Sequence, residues 1–183
     1  VTEDGVTDAT QTGAGRPLDA TFGREARDRS ADAAAPGLAG ALAALETFYH
    51  AFNRRDGALL KRVWAPGPWI QLNNPLGGIL RGIDPIAALY DRVFTGPARV
   101  WVEFHDVVAF QAPGMVTFAG RERGEFRVGD ALVPLAIRTT RVFAHGAWDG
   151  AAPRWAQVHH HGSIDDPAAL ARYREAVRGG TAP

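Results

Sequence analysis

Cysteine is absent from the 183 residues, which excludes disulfides, thiolate metal sites and cysteine nucleophiles. An excess of either charge is also missing: 20 basic residues face 20 acidic ones. Without a net charge the chain lacks the long-range field that draws proteins to nucleic acid or anionic membranes, so neither partner is expected. No apolar run approaches the roughly 18 residues of a membrane span. Lysine is nearly absent, with Lys61 alone among the basic residues, beside abundant Ala and Gly. We read that as the codon usage of a GC-rich, bacterial genome. The sequence also has no Gly-x-Ser-x-Gly elbow, no phosphate-binding loop ending in Lys-Ser or Lys-Thr, and no dinucleotide fingerprint, so no cofactor is expected. The opening Val1-Thr2-Glu3-Asp4 has neither the basic nor the apolar character of a secretory signal. With the missing cysteines, this leads to the expectation of a cytoplasmic protein.

What is present falls into three parts: a flexible or docked tail over 1–36, one domain over 37–178, and a short tail over 179–183. The first segment is rich in Gly, Ala, Thr, Asp and Arg, and after Val6 only Leu18 and Phe22 are large and apolar. It cannot offset its ordering entropy alone, so any docking would run through Phe22. From Leu38 the pattern turns helical: Leu38, Leu42, Leu45, Phe48, Tyr49 and Phe52 make one apolar stripe. Asn53-Arg54-Arg55-Asp56-Gly57 ends it, and a second helix is predicted over Ala58–Trp64. Trp69–Asn73 reads as a short strand, Ile79–Arg81 as its hairpin partner, and Asp84-Pro85 as the start of a third helix running to Phe94. Four long strands follow, over Arg99–Phe110, Met115–Val128, Leu132–His145 and Arg154–Ile164, and a closing helix runs to Val177. Helices first and strands later predict an α+β fold with helices on one face of a bent antiparallel sheet.

Within this pattern, His159-His160-His161 is the most conspicuous cluster. Successive strand residues point to opposite faces, so three adjacent histidines cannot converge on one ion, and no metal site is expected. Arg121-Glu122-Arg123-Gly124-Glu125 alternates in sign, which puts Arg121, Arg123 and Glu125 on one face as a candidate self-neutralising ladder. Trp101, Glu103 and His105 likewise share a face.

The pieces Phe52-Asn53-Arg54-Arg55-Asp56, Leu80-Arg81-Gly82-Ile83-Asp84, Thr140-Arg141-Val142-Phe143 and Trp155-Ala156-Gln157-Val158-His159-His160-His161-Gly162-Ser163 occur in that order. Together they resemble the SnoaL-like branch of the nuclear transport factor 2-like superfamily, over about 42–163. The last two also resemble the association domain of calcium/calmodulin-dependent kinase II. The resemblance implies a cone-shaped, cystatin-like α+β barrel: a curved antiparallel sheet with helices on its concave side, one pocket, and a homodimer through the outer sheet face. It implies no particular reaction, since members include isomerases, dehydratases, cyclases, epoxide hydrolases and non-catalytic proteins.

The kinase-association resemblance implies that Arg141 points into the pocket, with Arg121 roughly matching a second arginine. It also puts Ala156, Val158, His160 and Gly162 inside, and Trp155, Gln157, His159, His161 and Ser163 outside. Gly162 falls where that domain carries a third arginine. Buried arginines need anionic partners. Glu122, Glu125 and Glu103 are the internal candidates, and a bound carboxylate is the other. We therefore expect a small ligand bearing a carboxylate or polarised carbonyl, held by Arg121 and Arg141 with Trp69, Asn73 and Tyr90. His160 is the candidate acid/base residue for cofactor-free isomerisation, dehydration or hydrolysis. The alternative is an assembly module whose pocket is vestigial.

Overall fold

The computed structural model describes residues 15–179. Strand β1 covers Arg16–Leu18, and a 3-10 turn follows at Ser30–Ala34. Helices α1 (Gly37–Arg54) and α2 (Gly57–Val63) precede β2 (Gln71–Asn73), β3 (Leu80–Arg81) and α3 (Ile83–Thr95). Then come β4 (Arg99–Ala112), β5 (Met115–Val128), β6 (Ala131–Gly146), β7 (Arg154–Ser163) and α4 (Pro167–Gly179). Tail residues 1–14 and 180–183 lie outside the described residues.

Helix α1 stops because Arg55 turns into the left-handed region at φ 60°, its N–H closing back on Ala51 and Phe52. The Asp56 side chain then caps α2 by accepting from Leu59 N at 2.8 Å. Helix α3 begins one residue ahead of the expected Asp84: Gly82 at φ 82° makes the entry, and Asp84 sits in the first turn.

Seven strands form one sheet in the order β1-β4-β5-β6-β7-β2-β3. The hairpin of β2 and β3 is present, but β2 lies parallel to β7, pairing Leu72 with His160. The sheet is therefore mixed, where an antiparallel one was expected. The sequence signals of a strand report its two faces and not the direction of its neighbour.

Alternation sorts the long strands cleanly. Val116, Phe118, Glu122 and Phe126 of β5 are buried with Val133, Leu135, Ile137, Thr139, Arg141 and Phe143 of β6. Helix α1 lays Leu45, Phe48 and Tyr49, each at most 1% exposed, over this concave side. Gly40 permits the close approach, since a Cβ there would lie 2.6 Å from Trp155 Cδ1.

Two bulges break the alternation. In β4, Asp106 adopts φ 53° and the pairing skips from His105 to Val108. In β7, Val142 pairs with His159 but Phe143 pairs with Gln157, leaving Val158 unopposed. Each inserts one residue and exchanges the faces on either side of it.

The segment before α1 docks on the sheet edge. Arg16–Leu18 pairs with Val107–Ala109, and Phe22 and Phe104 exchange backbone hydrogen bonds of 2.9 and 2.8 Å. Phe22 is buried and stacks on Tyr49. No helix among the described residues is long and apolar enough to cross a membrane.

Candidate functional site

At the closed end of the cone, four side chains from four elements form one polar cluster. Arg141 of β6 donates from Nε to Tyr49 Oη at 2.9 Å, from Nη1 to Gln157 Oε1 at 3.1 Å, and from Nη2 to Glu122 Oε1 at 2.8 Å. Tyr49 Oη donates to the same carboxylate oxygen at 2.5 Å. The guanidinium carbon also lies 3.7 Å from the Phe48 ring centroid, a cation–π contact. Arg141 and Glu122 are 3% and 5% exposed at their side chains. A buried guanidinium would be very costly without this pairing. Burial would by itself lower the Arg141 pKa, but the surrounding phenols and Glu122 outweigh it and hold the guanidinium firmly charged.

Above this cluster the cone is open. A cavity of about 280 Å³ runs toward the mouth, with Phe52, Leu76, Val102, Leu135 and Ile137 in its walls. Glu122, Arg141, Tyr90 and His160 line it as well. Helix α4 covers one side through Tyr173 and Val177, Tyr173 packing edge-on against Phe126 at 5.2 Å. Burial pushes the Tyr173 phenol up to about 12. Burial likewise raises the Tyr49 and Tyr90 phenols, so both stay protonated hydrogen-bonding groups.

His160 is 6% exposed and its Nδ1 is buried without a hydrogen-bond partner. Desolvation first, then the Arg141 charge and the two flanking histidines, hold its pKa well below 6.5. The imidazole is therefore neutral throughout the neutral pH range. Gly162 keeps room beside it: a Cβ there would sit 3.3 Å from His160 Nε2 and 3.2 Å from Ile137 Cγ2.

The structure brings three of the six expected site residues together at the cavity: His160, Arg141 and Tyr90. The other three lie elsewhere. Arg121 is exposed and pairs with Asp106 at 3.3 Å, because inward residues of β5 are even-numbered and Arg121 is odd. Trp69 is 85% exposed, since it precedes β2 and lies outside the cone walls. Asn73 bonds Gln71 and His161 on the outer face, and it is Asn74 that reaches the cavity. Among the candidate anionic partners, Glu122 is the one that meets Arg141, while Glu103 pairs with Arg123 and Glu125 accepts from Trp101.

The expected faces of β7 also need correction. Trp155 and Gln157, expected outside, both point inward: Gln157 is fully buried on Arg141, and Trp155 donates to Ala35 O at 3.1 Å. The bulge at Val158 is the reason, since it lets Gln157 and His160 share a face. His161 is exposed and His159 half-buried on the opposite side from His160. In the sequence, Tyr49 and Phe48 carry only a core signal. Their place on the α1 stripe gave a burial signal and no sign of what they would meet.

No family model and no curated protein matches this chain. Similar solved structures are numerous. A protein from Thiobacillus denitrificans assigned as a calcium/calmodulin-dependent protein kinase type II association domain is 26% identical, with a TM-score of 0.53, over 68% of this chain and 94% of that one. A ketosteroid isomerase-like protein from Erwinia carotovora atroseptica is 18% identical, with a TM-score of 0.56, over 69% and 95%. The LEH-like epoxide hydrolase of M. tuberculosis is 19% identical, with a TM-score of 0.52, over 76% and 90%. The order of elements, the helix-lined concave sheet and these likenesses together establish that the chain carries the nuclear transport factor 2-like, cystatin-like α+β fold.

Proposed function

We propose that this chain is a small-molecule pocket protein of the SnoaL-like type, binding a compact organic ligand that carries a carbonyl or a carboxylate. One observation carries the reading: a neutral, buried imidazole lines an unfilled and otherwise largely apolar cavity. Apolar walls with a few convergent polar groups are the usual character of a ligand site. A structural histidine in a filled core would have no such volume beside it.

The chemistry this arrangement favours is cofactor-free proton transfer, of the isomerase, dehydratase or hydrolase type. An unprotonated His160 is competent to accept a proton from the ligand. The nearby Arg141 charge disfavours the imidazolium and so promotes passing the proton on. Arg141 and Tyr90 supply donors for an oxyanion developing on the ligand. Similar structures include proteins named as dehydratase, isomerase-like and epoxide hydrolase, which is compatible with such chemistry on this fold.

A second observation favours a homodimer through the outer sheet face. Phe110, Thr117, Val142 and His159 form one cross-strand row there, and Phe110 and Met115 remain 41% and 45% exposed. The exposed Phe110 and Met115 fit a second copy of the same surface.

A thermal-shift screen of small ketones and carboxylates tests the pocket, because a native-state ligand raises the melting temperature by mass action. Stabilisation of the wild type that is lost in Leu135→Trp, which fills the cavity, supports the reading. No shift with any compound argues for the assembly module instead.

A further inference from the structure

Resting on the pocket reading above, the charge pattern at the cavity floor allows a narrower conclusion about the ligand. We propose that Glu122 sets the specificity of the site: by neutralising Arg141 it makes the cavity select an uncharged carbonyl compound over a carboxylate of the same size.

A buried arginine beside a cavity ordinarily reads as an anion anchor. Here that capacity is already taken. Glu122 Oε1 accepts from Arg141 Nη2 at 2.8 Å and from Tyr49 Oη at 2.5 Å, both within the buried floor. Arg141 contributes one positive charge, Glu122 one negative, and the neutral His160 none, so the floor sums to zero. A carboxylate entering it would leave a net negative charge in a low-dielectric cavity, next to an existing carboxylate. The remaining cation along the wall, Arg92, is exposed at the mouth, where water screens it.

A neutral carbonyl meets no such penalty. A guanidinium has five N–H donors; three are directed to Tyr49, Gln157 and Glu122 and a fourth meets Tyr90, which leaves one for a ligand oxygen. Tyr90, protonated and also on the cavity, adds a hydroxyl. The rest of the ligand would meet the apolar walls. Size follows from volume: a dry apolar cavity of about 150 Å³ holds benzene. The cavity of about 280 Å³ thus suits a compact ring or short branched skeleton of about ten to twelve non-hydrogen atoms.

At Gly162 a Cβ would already crowd Pro75, Ile137 and His160, so this side of the site has no room for a larger, charged side chain.

The test is calorimetric titration of the full chain at pH 7.5 with acetophenone and with benzoate, two probes matched in shape and size that differ in charge. The wild type is expected to bind acetophenone more tightly by about tenfold or more. The Glu122→Gln variant keeps a carbonyl oxygen for Arg141 and Tyr49 but loses the charge, so its preference is expected to reverse toward benzoate. A wild type that binds benzoate as tightly as acetophenone overturns the specificity and leaves the pocket reading standing. Failure of both probes to bind overturns the two together. A folded Glu122→Gln protein with an unchanged preference overturns the role of Glu122. Should that variant not fold, the wild-type comparison still decides whether the site rejects the anion.

Discussion

Gln157 and His160 stand three residues apart on one strand and both point into the cone, an arrangement that regular alternation forbids. The extra residue at Val158 makes it possible. It puts the Gln157 amide on Arg141 and the His160 ring on the cavity wall at once. Gln157→Leu removes an acceptor from a buried guanidinium while keeping much of the volume. A loss of about 1.5–3 kcal/mol is expected, the usual worth of a hydrogen bond to a charged group, measured by urea unfolding.

The Arg141–Glu122 pair is more sensitive to halving than to removal. Arg141→Leu leaves the carboxylate buried and uncompensated, and a cost of about 3–5 kcal/mol is expected. The double variant Arg141→Leu/Glu122→Leu should lose less than the sum of the two single changes. Additive losses in a double-mutant cycle would show that the two groups are not coupled.

Stability should fall in mild acid because of His160. In the folded chain burial and the Arg141 charge hold this imidazole well below 6.5, and in the unfolded chain it titrates near 6.5. Between those values the unfolded state binds a proton that the folded state does not. The stabilisation is thus complete above about pH 6.5 and is lost as pH drops, at up to about 1.4 kcal/mol per unit. His159 shifts the same way, through desolvation and then His161, and remains in the comparison. The His160→Asn variant, followed by unfolding from pH 7.5 to 5, should show a shallower slope than wild type by His160's share.

Phe22 holds the leading segment on the domain. It is 7% exposed, bridges to Phe104 and stacks on Tyr49 with ring centroids 6.3 Å apart. Phe22→Ala should cost about 3 kcal/mol in chemical denaturation. Because the segment also covers the β4 edge, the variant should aggregate more readily on heating, followed by light scattering. Unchanged stability would make the contact incidental.

The outer-face dimer has a direct test. Phe110→Glu places a charge in the exposed outer-face row, directly opposite Thr117. Sedimentation analysis should show a dimeric wild type and a variant shifted toward monomer by about tenfold or more in dissociation constant. A wild type that sediments as a monomer removes the proposal.

The elements and the class of fold follow from local patterns in the chain. The α1 stripe from Leu38 to Phe52, its end over Asn53-Arg54-Arg55-Asp56-Gly57 and the four long strands from Arg99 onward are local patterns, legible without partners. Their order predicts a helix-lined curved sheet, and Arg141, Tyr90 and His160 stand out as site candidates from the sequence. Which side of each strand lies inside, and what meets there, depends on contacts between distant segments. Alternation specifies two faces but cannot name them, and one inserted residue exchanges them. Gln157, expected outside, therefore lies inside, and Arg121, expected inside, lies outside. The parallel register of β2 on β7 and the pairing of Arg141 with Glu122 rest on contacts far apart in the chain. So does the empty volume beside His160, since a cavity is made by what neighbouring elements fail to fill and no residue encodes it alone.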